Sequence, residues 1–138
     1  MEKFYSKVDE GLLLHVVFRF QEFHQGRTDI LPPNAFLQCA ALNHRAGQTF
    51  RPHRHIEKEV SYADKIAQEA WVVIKGRVKV TFYDLDDTII AQPILYEGDT
   101  SFTLYGGHTY QVLSEPSRIL EFKTGPYLGQ ENDKTFIE

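Results

Sequence analysis

The sequence AWVVIKGRVKVTFY, residues 70–83, contains the pattern that decides the fold of this chain. A short apolar run, AWVVI (70–74), precedes the turn-forming pair Lys75–Gly76 and the alternating segment RVKVTFY (77–83). Alternation with a period of two places apolar side chains on one face of a β-strand and polar ones on the other. The pattern therefore predicts two strands connected by a tight turn. The face that we expect to be buried consists of Val78, Val80 and Phe82.

Similar apolar segments, separated by turn formers, occupy most of the remaining chain. GLLLHVVFRF (11–20) is apolar and aromatic, and FLQCAALNH (36–44) follows a segment in which Pro32–Pro33 forbids a continuous helix. After the turn DLDD, the segment TIIAQPILY (88–96) and the short runs SFTLY, TYQVL and RILEF complete the series. Short strands between turns predict an all-β sandwich or barrel with little helix.

Length and composition limit the kinds of protein that this chain can be. A chain of 138 residues fits one domain, and a net charge of −4 gives no reason to expect nucleic acid or an anionic membrane as partner. The sequence has no apolar run of membrane-spanning length, and MEKFYSKVDE is unlike a signal peptide, so we expect a cytoplasmic protein. The single cysteine, Cys39, lies in an apolar run and is expected to pack as a small core residue.

Two histidines in RPHRH (51–55) are spaced so that they could share a ligand. In an extended strand, side chains at positions i and i+2 point to the same side, roughly 7 Å apart at Cα. His53 and His55 would then be close enough to hold one metal ion. Arg51 has the same parity, so it is expected either to face the same cavity and pair with an anionic group or to lie on the surface beside a turn.

Residues before and after this pair complete three motifs: Gly47-x5-His53-x-His55, Glu69-x6-Gly76, and Gly98 followed by Gly106-Gly107-His108. This pattern resembles the cupin family of small jelly-roll β-barrels. The resemblance implies a single domain over 1–138, with an N-terminal strand and loop (1–35), a double-stranded β-helix barrel core (36–123) and a C-terminal tail (124–138). It also implies one metal ion inside the barrel, held by His53, His55, Glu69 and His108.

The position of the carboxylate ligand is ambiguous within this pattern. Thirteen residues, 56–68, separate His55 from Glu69, where the family has a short connection, and Glu59 satisfies that short spacing. We expect Glu69 to be the ligand because it directly precedes the apolar strand that ends at the Gly76 turn. The inserted segment 56–68 is charged and lacks alternation, so we expect it to be a loop at the mouth of the barrel.

A closer resemblance, from about Phe36 to Phe136, is to small bacterial cupins associated with sugar and surface-polysaccharide biosynthesis. It is carried by strings such as QEAWVVIKGRVKVTFYDLDD and LYGGHTYQVL. The resemblance implies a small polar ligand, for example a sugar or sugar nucleotide. Three imidazoles and one carboxylate suit a divalent Mn, Fe, Co, Ni, Cu or Zn ion, which would keep positions open for water or substrate.

Other residues near the motifs also carry expectations. Tyr105 and Tyr110 flank the motif Gly106-Gly107-His108 and are expected to contact a bound ligand or to line the barrel wall. Trp71 has the same parity as Glu69, so it would line the pocket or pack in the core. The three histidines that lie outside the motifs are not expected to be ligands. These are His15, His24 and His44.

Three functions remain open on these residues. The chain could be a metal-dependent enzyme of the isomerase, epimerase or dioxygenase type, or a non-catalytic module that binds a small molecule and a metal. It could also be a metal-free sugar-nucleotide isomerase that uses a histidine as general base. In addition, the apolar surplus of GLLLHVVFRF predicts a homodimer formed through the N-terminal strand.

Overall fold

The protein is built from antiparallel β-strands, as a computed structural model describes it for residues 1–57, 59, 61 and 66–138. Two short 3-10 helices, Phe20–Glu22 and Gln130–Asn132, lie outside the sheets. Within the described ranges, no helix is long and apolar enough to cross a membrane. The strands are β1 (Glu2–Tyr5), β2 (Leu13–Phe18), β3 (Gly26–Asp29), β4 (Ala40–Asn43), β5 (Glu69–Lys75), β6 (Val78–Tyr83), β7 (Ile89–Ala91), β8 (Ile94–Leu95), β9 (Thr100–Thr103), β10 (His108–Val112) and β11 (Arg118–Lys123).

The strands form three sheets. The largest sheet has the order β1-β2-β9-β5-β11, and a second sheet has the order β10-β6-β7 with β8 also paired to β6. A two-stranded sheet joins β3 to β4. Every pairing is antiparallel, and the prediction of an all-β fold with little helix is confirmed.

The two strands predicted within residues 70–83 belong to different sheets. β5 is a member of the five-stranded sheet, whereas β6 is the centre of the four-stranded sheet. The chain changes sheet at Gly76, whose φ of 87° lies in the left-handed region that glycine adopts readily. The predicted inward face of β6 is confirmed, because its three apolar side chains are almost fully buried. The tight turn is therefore a corner between two layers.

Two apolar clusters fill the interior, and β2 contributes to both. Val16 belongs to the cluster that contains Phe102 and the segment around Ile30, and Val17 belongs to the cluster that contains Val80 and Phe82. Both faces of β2 are thus covered within one chain, which explains why GLLLHVVFRF is apolar throughout. The apolar side chains of β2 that suggested a dimer are buried within the single chain. Dimerisation stays a prediction, and it would need a different surface.

The segment 56–68 has no strand or helix at its described positions, which are 56, 57, 59, 61 and 66–68. The remaining positions of the predicted loop lie outside the described residues. Its last residue is tied to the core: Gln68 is buried, and its side-chain oxygen accepts a hydrogen bond of 2.7 Å from the backbone N–H of Leu37. The Gln68 backbone N–H donates to the Thr124 hydroxyl at 3.0 Å. Gln68 therefore anchors the end of the segment to the core directly before β5 begins.

A buried carboxylate fixes the N-terminal turn against the loop after β6. Asp84 is fully buried and accepts hydrogen bonds from the Ser6 hydroxyl at 2.5 Å and from the Lys7 backbone N–H at 2.6 Å. The backbone N–H of Leu85 donates to the same carboxylate at 2.8 Å. Burial alone would raise the pKa of Asp84, but these hydrogen bonds lower it below its ordinary value.

Asp84→Asn is expected to destabilise the protein at neutral pH and much less at acid pH. The folded-state pKa of Asp84 is depressed, so its stabilising contribution is complete above the ordinary aspartate pKa and is lost as the pH falls below it. Urea unfolding at a series of pH values measures the difference between the two proteins. A difference that grows toward acid pH would contradict the assignment of Asp84 as a hydrogen-bonded carboxylate.

Candidate functional site

The candidate site lies where β5 and β11 of the larger sheet face β10 of the second sheet. Alternation along β5 places Glu69 and Trp71 on the same face, two residues apart. β11 continues this face, because Lys123 pairs with Glu69 and Glu121 pairs with Trp71 across the ladder. His108, the first residue of β10, packs against this face from the opposite sheet.

The His108 ring is held between aromatic and acidic side chains. It stacks on Trp71, with ring centroids 4.2 Å apart and an interplanar angle of 16°. Tyr110 meets the Trp71 ring edge-on at 4.9 Å. The His108 Nε2 atom faces Glu69 Oε1 at 3.6 Å, and both side chains keep partial access to solvent. Trp71 lies on the same face as Glu69, as predicted, and its ring both packs in the core and contacts His108.

A second histidine, His15, lies behind His108 and is fully buried. Its ring stacks on Phe82 at 4.3 Å, and its Nε2 is 3.0 Å from the backbone oxygen of Tyr83. Its Nδ1 is 3.0 Å from the hydroxyl of Thr103, and this hydroxyl is 2.8 Å from Nδ1 of His108. One threonine hydroxyl therefore connects the two imidazoles.

The environment moves the pKa values of these groups in opposite directions. Burial lowers the pKa of His108 to about 4, and repulsion from Lys134 and from the protonated form of His15 acts in the same direction. Burial raises the pKa of Glu69 to about 7, and the neighbouring Glu121 carboxylate adds to the effect. At neutral pH His108 is uncharged, so its contact with Glu69 is not an ion pair. The site instead combines a neutral imidazole with a carboxyl group that titrates near neutrality.

The C-terminal tail closes one side of the site. Lys123 forms an ion pair with Asp133 of the tail at 2.8 Å, and its ammonium group lies 4.1 Å from the centroid of the Tyr127 ring. The indole N–H of Trp71 donates to Glu121 Oε2 at 3.4 Å. The tail thus packs against β11, and it contributes to the electrostatics of the site through Lys134.

The structure brings two of the four predicted metal ligands together. Glu69 and His108 are in contact, whereas His53 and His55 lie next to one another on an exposed segment, with ring centroids 5.4 Å apart. Among the residues that the structure describes, no group of three or more His, Cys, Asp or Glu side chains is arranged to hold a metal ion. The four-ligand site therefore stays a prediction that requires residues 51–57 to approach His108.

The other candidate residues lie in different surroundings. Arg51 is exposed, and its backbone oxygen is 3.0 Å from Nδ1 of His53. Tyr105 is half-buried against the first apolar cluster, whereas Tyr110 borders the site. Glu59, the alternative carboxylate, is exposed. The buried ring nitrogens of His44 have no hydrogen-bond partner within the described part of the chain.

Sequence reasoning missed His15 and Thr103 as parts of the site. A usable signal was present in LLLHVVF, because a histidine within an apolar strand must find buried partners. Thr103, however, pairs with His15 across an 88-residue separation, which no local pattern reveals. Comparisons of this chain with models of protein families, with curated proteins and with solved structures found no match.

Proposed function

We propose that this chain is a cupin-type barrel that binds a small polar molecule of the sugar class at the site formed by Glu69, Trp71 and His108. The observation that carries the proposal is the packing of His108 between the Trp71 ring and the Glu69 carboxyl group. The Tyr110 ring, which is 40% exposed, offers apolar contact to a sugar ring, and the Glu69 carboxyl and His108 imidazole groups offer directed hydrogen bonds to its hydroxyls. Ligand sites commonly combine apolar walls with a few placed polar groups in this way.

A divalent transition metal is proposed as the cofactor of this site. His108 Nε2 and Glu69 Oε1 are 3.6 Å apart, which suits two ligands of one ion with bonds of about 2.0–2.2 Å. His53 and His55 would complete the set. When bound, such an ion polarises an oxygen atom of the substrate or acidifies a bound water. Glu69 and His108 would orient the ligand beside the ion.

A second candidate function, metal-free isomerisation or epimerisation, is favoured by the pKa values of the same pair. His108 is a neutral imidazole with a pKa of about 4, and Glu69 has a pKa of about 7. Groups whose pKa values are pushed apart in this way can divide the roles of acid and base. Glu69 would exchange a proton with the substrate near neutral pH, and His108 would accept a hydrogen bond from it.

Metal analysis of protein purified without an affinity tag, followed by a screen of sugar nucleotides for binding and turnover, tests these proposals together. Stoichiometric metal and a bound sugar nucleotide are expected. Binding and turnover without metal would favour the acid–base function, and binding without turnover would identify a binding module. Protein that takes up neither metal nor any sugar nucleotide would contradict the proposed function.

A further inference from the structure

The hydrogen bonds that connect the imidazoles of His15 and His108 have only one consistent direction when His15 is neutral. The Tyr83 carbonyl oxygen can only accept a hydrogen bond, and His15 Nε2 lies 3.0 Å from it. The proton of His15 must therefore be on Nε2, which leaves a lone pair on its Nδ1. The Thr103 hydroxyl oxygen lies 3.0 Å from this Nδ1 atom, so its single proton is donated to His15.

The position of the proton on the His108 ring follows from the direction of these hydrogen bonds. Because the Thr103 hydroxyl has used its proton, its oxygen can only accept from His108 Nδ1, which is 2.8 Å away. His108 must therefore carry its proton on Nδ1. Its Nε2 atom is left with an unprotonated lone pair, and this is the atom that faces Glu69.

The surroundings of His15 support the neutral state on which this direction depends. His15 is fully buried, its ring stacks on Phe82, and its two hydrogen-bond partners are a carbonyl and a hydroxyl. A buried imidazolium without a hydrogen-bonded carboxylate is strongly disfavoured. The charge of Asp84 raises the pKa of His15, but burial outweighs it, and the hydrogen bonds of this carboxylate go to Ser6 and Lys7.

We propose that His15 and Thr103 are positioning residues that hold His108 in the tautomer with its proton on Nδ1 and its lone pair on Nε2. Nε2 is then always ready to bind a metal ion or to accept a hydrogen bond or proton from a ligand. A histidine whose other ring nitrogen is fixed by a hydrogen bond is the usual arrangement for metal-binding and catalytic imidazoles. The use of this lone pair rests on the proposed function, whereas the tautomer itself does not.

Nitrogen-15 NMR of the His108 ring tests the tautomer directly in the full-length protein. The wild-type protein should show a protonated-type nitrogen at Nδ1 and an unprotonated-type nitrogen at Nε2. Thr103→Ser keeps the hydroxyl and should give the same pattern. Thr103→Val, which is similar in shape but has no hydroxyl, should make the Nε2-protonated form the major one, because its Nδ1 partner is lost.

Each outcome of this experiment decides the proposal. A wild-type ring protonated on Nε2, or a Thr103→Val protein with an unchanged tautomer, would overturn it. If Thr103→Val does not fold, as judged by its unfolding midpoint, the wild-type and Thr103→Ser spectra still decide. If the predicted tautomer is found and no sugar nucleotide or metal binds, the proposed function fails while the positioning role stands.

Discussion

Phe82→Ala is expected to destabilise the protein by about 3–5 kcal/mol, a large part of the roughly 5–15 kcal/mol that stabilises a typical domain. Phe82 is fully buried at the centre of the second apolar cluster. Its ring lies 5.2 Å from that of Phe4 and stacks on His15. Removal of the ring creates a cavity and also removes the surface that holds His15 in place, so both the core and the candidate site should loosen.

Urea unfolding measures this loss, with Phe122→Ala as the matched control. Phe122 lies on β11, and its side chain is 54% exposed. Its truncation should change stability by no more than about 0.5 kcal/mol. Equal losses for the two variants would show that the interior assigned to the second apolar cluster is not the core of this protein.

Glu69→Gln is expected to lower metal affinity by one or more orders of magnitude. The substitution keeps the shape of the side chain but removes the negative charge and a strong donor oxygen, on which binding of a divalent ion depends. Glu69 faces His108 Nε2, so the effect should reach the ion that this histidine is proposed to bind. Competition with a chelator of known affinity gives the ratio of the two dissociation constants.

Glu59→Gln is the control for this measurement, because Glu59 is exposed and satisfies the shorter family spacing. Its metal affinity should be close to that of the wild type. The reverse result, with the larger loss at Glu59, would show that the strand-and-turn argument selected the wrong glutamate. Small and equal losses would point to a site made only of histidines or to the absence of a metal site.

The fold was predictable where one strand could be recognised from its own residues. The alternation in β6 and the apolar run of β5 are local patterns. The apolar face of β6 is buried as expected, and so are Ala70, Trp71 and Val73 of β5, whereas Ile74 is exposed. The sequence did not reveal that Gly76 sends these strands into different sheets, because sheet membership depends on pairing with distant strands. The apolar character of β2 suggested a partner chain, but both of its faces are covered by segments far away in sequence.

The candidate site was predictable in part for the same reason. The alternation of side chains along a strand placed Trp71 on the same face as Glu69, and the motif Gly106-Gly107-His108 identified His108. His15 was set aside because it lies outside the motifs, although its burial beside Thr103 makes it a structural partner of His108. The predicted approach of His53 and His55 to His108 was argued from strand periodicity. Residues 51–57 form no strand, so that periodicity gives no information about where these two side chains lie.

Trp71 is the only tryptophan of the chain, so its fluorescence reports directly on the candidate site. Titration with a panel of sugar nucleotides, in wild type and in His108→Gln, is therefore the most direct test of the claim that this site binds a small polar molecule. The account predicts a saturable change of Trp71 fluorescence in the wild type and at least about tenfold weaker binding in His108→Gln, equivalent to 1.4 kcal/mol. Calorimetrically detected binding that leaves Trp71 fluorescence unchanged and is insensitive to His108→Gln would contradict it, as would the absence of binding by every member of the panel.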